Sequence, residues 1–404
     1  MSNSSLPGRR LGWIGIWLSV TVWLAASVAV LPPSATASPA SPTDPADAVL
    51  FDRAKVIPIV IRVDPSAVRS LEEAPYTYVP AEVEQGGKVY PNVGLHLKGA
   101  RTFQPLDRKP SITLKFNEYM PGQLFHGLRK ILLNNAFEEW TFVQEHLGQE
   151  LFRAVGTPAA RVNYARVQLN GRDLGLYVLV EGITKDFLER HFGTAKGNLY
   201  EGVEQDIDGE LEQDYGNRSR REDLAPLIRA VRERDRTKRF EQMDRCLNVD
   251  QFLGYVALEM LINVWDGYSL RCNNYRIYCD HTTGRVTFIP HGLDNYFVQA
   301  DVPLLPQMRG MVSAALLDTP EGRARYIQKC REIYATLLQK DRLHQRVDQL
   351  AAVARPVLEE LGLAGRQAKA LNTYHKRIDR RLEFLAGELE ALSKSASKTK
   401  KVSP

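Results

Sequence analysis

Asn263-Val264-Trp265-Asp266-Gly267-Tyr268-Ser269-Leu270-Arg271-Cys272-Asn273-Asn274-Tyr275 is the stretch on which the reading of this chain turns. It follows an apolar run, Val249 to Val264, with helical spacing; Phe252, Val256, Leu258, Leu261 and Ile262 mark the face to be buried. Asp266 therefore stands at the end of a core helix. Asn273-Asn274 then opens a β-hairpin: Asn274 to Cys279, a turn through His281-Thr282-Thr283-Gly284, and a return from Arg285 to Ile289. A second carboxylate, Asp294, follows in Pro290-His291-Gly292-Leu293-Asp294. Helix, Asp, Asn, hairpin, Asp is thus the local order. Taken singly, Asp266-Gly267 is an ordinary turn signal and Asn273-Asn274 an ordinary hairpin entry.

Upstream the pattern is that of sheet with one helix. Val56 to Val63 is β-rich, and Asn92 to Leu97 alternates at period two. In Ser111 to Phe116, Ile112, Leu114 and Phe116 face one way and Ser111, Thr113 and Lys115 the other. Arg129 to Leu133 reads as a strand, and Glu138 to Val155 as a helix stopped by Gly156 and Pro158. Asn170-Gly171 joins the strands Val162 to Leu169 and Leu174 to Glu181 in a tight hairpin. Beyond Glu181 helices dominate: Lys185 to Phe192, Leu224 to Arg234, Glu321 to Leu338 and Arg366 to Leu392. The fold expected is α+β and two-lobed, an atypical protein-kinase-like arrangement. Its β-rich N-lobe occupies residues 51–182 and its helical C-lobe, carrying the hairpin, residues 183–392.

The ends add a location. Arg9-Arg10, an uncharged run from Leu11 to Leu31 and Ser34-Ala35-Thr36-Ala37 predict a signal peptide over 1–37, cleaved before Ser38. The same run is long enough to span a bilayer uncleaved, and only then would the chain be membrane-bound. A linker over 38–50 and a basic disordered tail over 393–404 flank the folded part. The product is expected to be secreted, periplasmic or at the cell surface. A formal charge of +5, with 53 basic and 48 acidic residues, gives no footprint for nucleic acid. Cys246, Cys272, Cys279 and Cys330 form no CxxC pair, which speaks against a zinc site.

A carboxylate after a helix, an Asn, a hairpin and a second carboxylate is the order protein kinases use: a base for the acceptor hydroxyl, then two groups that hold metal on the phosphates. The sheet half offers the complement. Lys98-Gly99-Ala100-Arg101-Thr102 is a turn whose backbone can approach phosphates. Lys115 lies mid-strand, and Glu145, in the one helix, is its expected ion-pair partner. Glu181 lies where the lobes meet and where adenine is usually read by backbone groups.

These residues resemble the CotH kinase family. The resemblance runs from about Val93 to about Phe297. It rests on Leu97-Lys98-Gly99, Lys109-Pro110-Ser111, Phe125-His126-Gly127-Leu128 and Leu133-Asn134-Asn135. It continues through Gly175-Leu176-Tyr177-Val178-Leu179-Val180-Glu181, Gly197-Asn198-Leu199-Tyr200-Glu201-Gly202, Trp265-Asp266, Asn274-Tyr275 and Leu293-Asp294. The family implies an exported kinase that uses ATP and a divalent metal, Mg2+ or Mn2+, to phosphorylate Ser or Thr of secreted or cell-surface proteins. By position, Asp266 is implied as the catalytic Asp, and Asp294 with Asn274 or Asn273 as the metal pair. Strand alternation favours Asn274. Many members carry Trp-Asp where this chain has His291-Gly292. A catalytically inactive kinase fold that binds a surface partner, and a kinase acting on a non-protein acceptor, are the alternative readings.

Overall fold

A computed structural model describes residues 49–51, 55–217 and 221–400. The expected signal peptide lies outside the described residues, as does the linker up to residue 48. Leu50 and Phe51 are buried against the sheet: Asn163 Nδ2 donates to the Leu50 carbonyl at 2.8 Å, and the Arg161 guanidinium lies over the Phe51 ring. The linker expected through residue 50 therefore ends in a docked residue.

The β-rich half is a closed barrel of seven strands. These are β1 (Ile57–Arg62), β2 (Val79–Gln85), β3 (Lys88–Lys98), β4 (Ser111–Lys115), β5 (Lys130–Asn134), β6 (Val162–Leu169) and β7 (Arg172–Glu181). Around the barrel they run β1-β2-β3-β4-β5-β7-β6, closed by parallel pairing of β6 with β1. A closed barrel leaves no free edge. Ile59, Ile61, Leu95, Ile112, Leu114 and Leu179 are among the apolar side chains that fill it. The alternation expected for β4 holds, with one difference: Ser111 and Thr113, on the other face, are also buried. That face is covered by the rest of the chain.

Two helices insert into the barrel half, α1 (Pro65–Glu73) and α2 (Gln144–Ala154). The expected helix start at Glu138 is replaced by a turn in which the buried Glu139 carboxylate accepts from the Thr141 amide and hydroxyl. After Glu181 come α3 (Lys185–Phe192), β8 (Gly197–Gly202), β9 (Glu212–Tyr215), α4 (Ala225–Val231), α5 (Arg236–Cys246), α6 (Val249–Ile262) and α7 (Tyr268–Arg271). Then follow β10 (Tyr275–Asp280), β11 (Arg285–Pro290), α8 (Met311–Leu317), α9 (Pro320–Thr336), α10 (Lys340–Glu360) and α11 (Ala364–Lys400). The hairpin β10–β11 is half of a four-stranded sheet, β11-β10-β8-β9, paired residue for residue from Tyr275↔Gly202 to Asp280↔Gly197. α11 runs on to Lys400, so the tail expected from residue 393 is helical over most of its length.

α6 is the centre of the helical half. Twelve of its fourteen residues are buried, including every one named above from its apolar face. Glu259 is buried among them. All four cysteines are buried free thiols. Among the described residues no helix is long and apolar enough to cross a membrane.

Candidate active site

Between the barrel and the helical half lies a cleft of about 1690 Å³. Its roof is the outward face of β3–β4–β5. Period-two alternation with the observed register puts His96 and Lys98, Ser111, Thr113 and Lys115, and Lys130, Leu132 and Asn134 on that one face. Its floor comes from the helical half and holds Asp266, Asn273, Asn274, Arg276, His291, Gly292 and Asp294. Glu145, near the start of α2, closes one wall.

Asp266 owes its position to the end of α6. Asn263 turns the chain in a left-handed conformation, and its side-chain oxygen accepts from the Gln299 amide at 3.0 Å. Glu259 then reaches past that end. Its carboxylate accepts from the amides of Tyr268 and Ser269 at 2.8 and 3.1 Å and from the Ser269 hydroxyl at 2.6 Å. Gly267 is required between them, because a Cβ there would lie 2.3 Å from Glu259 Oε1. The loop is thereby pinned, and Asp266, half-buried, faces the cleft. Burial raises its carboxyl and Asn273 opposes the rise. Asn273 and Asn274 both donate to Asp266 Oδ2 at 3.1 Å. The alternation that favoured Asn274 alone does not apply. Asn274 has φ +52° and β10 begins only at Tyr275, so both amides turn to the same carboxylate. Asn274 nevertheless differs from its neighbour, since its Oδ1 borders Gly292. Gly292 has φ +60°, and a Cβ there would come within 2.8 Å of that oxygen.

Asp294 is buried, and burial pushes its carboxyl up to about 6 against the opposing pull of Lys98. Glu145 is likewise pushed up to about 7 by burial and by Asp294, with Lys98 in opposition. Gln149 donates to Glu145 Oε1 at 2.9 Å, whereas Oε2 is buried with no hydrogen-bond partner. Lys98, whose ammonium burial weakens, donates to Asn134 Oδ1 at 2.8 Å. These groups act on one another without any direct ion pair among them. Mutually repelling carboxylates, an orphaned carboxylate oxygen and the gap kept by Gly292 beside Asn274 Oδ1 suit a hard divalent cation with oxygen ligands. Among the described residues no three His, Cys, Asp or Glu converge as a complete metal site. An octahedral Mg2+ does not need them, since one or two carboxylates with phosphate oxygens and water suffice.

Two expected partners fall elsewhere. Lys115 pairs with Glu118 at 2.6 Å near the protein surface, not with Glu145. The register explains it: Lys98 sits opposite Ser111 and Lys115 opposite Gly94, four rungs or roughly 13 Å along the roof. Lys98, at the Asp294 end, takes the place expected of Lys115. Glu181 does not line the cleft. Its carboxylate is held by Arg161 at 2.8 Å and by Arg190, and its amide donates to the Arg161 carbonyl. Ile183, Thr184 and Lys185 line the cleft beside it instead. Lys98-Gly99-Ala100-Arg101-Thr102 does overhang the cleft, with Gly99 at φ +111°.

Sequence reasoning missed Glu259, Arg276 and Arg381. A lone acid inside the apolar run of α6 was the visible signal for Glu259. Arg381, fully buried, donates to the carbonyls of Leu261, Ala300, Val302 and Met260 from a point 120 residues downstream, and nothing local marks it.

The family profile described as CotH kinase protein matches residues 95–386. Inner spore coat protein H of Bacillus subtilis is 23% identical over 203 residues, which cover 46% of this chain and 54% of that one. Invasin CotH2 of Rhizopus delemar is 23% identical over 262 residues, 56% of this chain and 44% of that one. The chain thus spans about half the length of these relatives. Solved structures that overlay include the HipA–HipB–operator DNA complex of Shewanella oneidensis, with TM-score 0.31, 14% identity and 69% and 60% of the two chains covered. The Helicobacter pylori proinflammatory kinase CtkA gives TM-score 0.26 and 10% identity, with 65% and 95% covered.

Proposed function

The chain belongs to the CotH kinase family, and on that premise we propose that it is an exported phosphotransferase. It transfers the γ-phosphoryl group of ATP, with Mg2+ or Mn2+, to Ser or Thr hydroxyls of secreted or cell-surface proteins. The observation that carries the reading is a convergence. Lys98 and Glu145 from the barrel side meet Asp266, Asn274 and Asp294 from the helical side in one cleft, across nearly 200 residues of chain. Phosphoryl transfer asks the protein mainly for positioning and charge, and this set supplies both.

In the proposed mechanism Asp294 and Asn274 would hold the divalent cation, whose charge would neutralise that of the phosphates. Lys98 contacts phosphate oxygens; Asn134 holds its ammonium at 2.8 Å, and Glu145 acts on it through charge alone. Gly99 to Thr102 supply backbone amides over the phosphates. Asp266 accepts the proton of the incoming hydroxyl. The two amides on its Oδ2 fix the carboxylate and leave Oδ1 toward the acceptor. The names of the relatives, a spore coat protein and an invasin, agree with a surface setting.

The test is transfer of labelled γ-phosphate to a set of exported proteins from the same cell, alongside ATP titration with and without magnesium. The reading expects metal-dependent binding and labelled Ser or Thr. ATP binding without transfer to any protein would favour a non-protein acceptor. No binding at all would favour an inactive fold.

A further inference from the structure

Behind the phosphate end of the cleft lies a compartment whose character differs from the usual apolar slot for a nucleobase. Arg276 lies two residues along the chain from Asn274, roughly 7 Å deeper. Its guanidinium is buried, with Nε donating to Asp214 Oδ2 at 2.7 Å and Nη2 to Glu201 Oε2 at 2.6 Å. Above it, on the roof, is Lys130, next to the barrel's exit: the Gly182 amide donates to the Lys130 carbonyl at 3.0 Å. Lys130, Asp214, Glu201, Arg276 and His291 all line the same cleft as Lys98 and Asp294. The Lys130 ammonium has no hydrogen bond or ion pair of its own among the described residues. Asp214 Oδ1 likewise carries no hydrogen bond. Burial pushes Asp214 up, but Arg276 and Lys130 outweigh it and the carboxyl stays below its ordinary range. His291 is held neutral by burial and by the three cations around it. Lys98 feels Arg276 and Glu201 as well as Asp294, so the phosphate end and this compartment are neighbours.

The compartment therefore offers one free cationic donor beside a carboxylate whose Oδ1 is open and whose Oδ2, held by Arg276 Nε through one lone pair, keeps the other. Adenine presents a single amino donor and a ring-nitrogen acceptor to such a pair. Guanine presents O6 as acceptor and two parallel donors, N1–H and N2–H, that a carboxylate can accept together. Charge-assisted bidentate contacts are the stronger kind. We propose that Lys130 and Asp214 read the edge of a guanine base, Lys130 donating to O6 and Asp214 accepting from N1–H and N2–H. The chain then takes guanosine triphosphate at least as well as ATP. The inference rests on the phosphotransferase reading above and concerns only its donor.

The experiment is calorimetric titration of the full chain with the magnesium salts of ATP, GTP and inosine triphosphate. The expected result is GTP bound within threefold of ATP or more tightly, and inosine triphosphate, which lacks the N2 amino group, bound about tenfold less tightly than GTP. Lys130→Met and Asp214→Asn should each shift the preference at least tenfold toward ATP. Asp214 also supports Arg276, so each variant's melting temperature is measured alongside. The comparison of GTP with inosine triphosphate needs no variant and stands if one fails to fold. ATP bound more than threefold tighter than GTP, inosine triphosphate bound as tightly as GTP, or a preference untouched by Lys130→Met, overturns the base assignment and leaves the phosphotransferase reading intact. Failure of all three nucleotides to bind overturns both.

Discussion

Lys98 and Lys115 show how much one lysine's rung decides. Both stand on the roof face, and the sequence alone offered either to the phosphates. Only the register separates them, because pairing partners across β3 and β4 are set by the length of the Gly99–Pro110 connection and leave no local sequence mark. Lys98→Met should therefore weaken magnesium-dependent ATP binding by tenfold or more, while Lys115→Met changes it by less than twofold. Equilibrium titration of the two variants checks this, and the reverse order would return the phosphate role to Lys115. Glu259 gives a pH dependence whose sign can be worked out. Burial pushes its carboxyl up to about 7 from an ordinary 4.5, with the Ser269, Tyr255 and Tyr268 donors opposing. Between those values the folded chain keeps a proton that the unfolded chain has lost. The contribution is complete below pH 4.5 and lost as pH rises to about 7, on the order of 3 kcal/mol. Glu259→Gln should remove that part of the slope. Urea unfolding of both proteins at pH 5 and pH 8 measures it as the difference between their slopes, and equal slopes would mean that Glu259 does not titrate in this range.

Elements were legible where local pattern and tertiary role agree. α3 was bounded correctly to the residue, and the β6–β7 hairpin was announced by Asn170-Gly171. β8 was quoted only as a motif, because polar groups on both of its faces are bonded inside the protein, Asn198 and Tyr200 to Asp223 and Glu201 to Arg276, and alternation fails. α10 was missed, since Lys340–Glu360 carries Pro356 inside it and its apolar positions are Ala and Val as often as Leu. The end of α6 was read as a place for Asp266, but what holds it there is a remote residue. Arg381 on α11 donates to the last carbonyls of α6 and to two more in the segment after Phe297. Burial lowers its guanidinium to about 10, which leaves it charged at neutral pH. Arg381→Met should cost about 3–5 kcal/mol, because several buried carbonyls lose their donor. It should also lower turnover more than ATP affinity, since Asp266 rides on the loosened end. Arg381→Lys should restore less than half of the stability, one ammonium being unable to reach four carbonyls. Denaturant unfolding and single-turnover assays on the two variants test this; equal stability of the Met variant and wild type would remove Arg381 from the support of the site.

At the scale of the whole molecule, a cleft is useful only if its walls keep a defined distance. Strand and helix order announced a sheet-rich half and a helical half, but closure of the sheet into a barrel was not legible, because it depends on β1 pairing in parallel with β6 across more than 100 residues. The element that ties the halves together was not legible either. α10 belongs by sequence to the helical half, yet its Ala354 and Leu358 pack with Val162, Tyr164, Leu176 and Val178 on the barrel's outer face. Gly175 lets the chain approach there, since a Cβ would lie 2.9 Å from Leu361 Cδ1. Ion pairs flank the contact, Arg346 with Glu150 at 2.8 Å and Arg166 with Glu360 at 2.5 Å. The pair of Arg166 and Glu360 is exposed and worth little; the apolar contact carries the coupling. Leu358 is fully buried, so Leu358→Ala should cost about 2–5 kcal/mol. Its distinctive consequence is a change in cooperativity. Wild type should unfold in one calorimetric transition, because neither half keeps α10 covered without the other. The variant should show two transitions, and the magnesium nucleotide, which touches roof and floor at once, should draw them back together by binding only the joined state. Two transitions already present in wild type would mean that the halves are coupled by the cleft alone and that α10 is a passenger on the barrel.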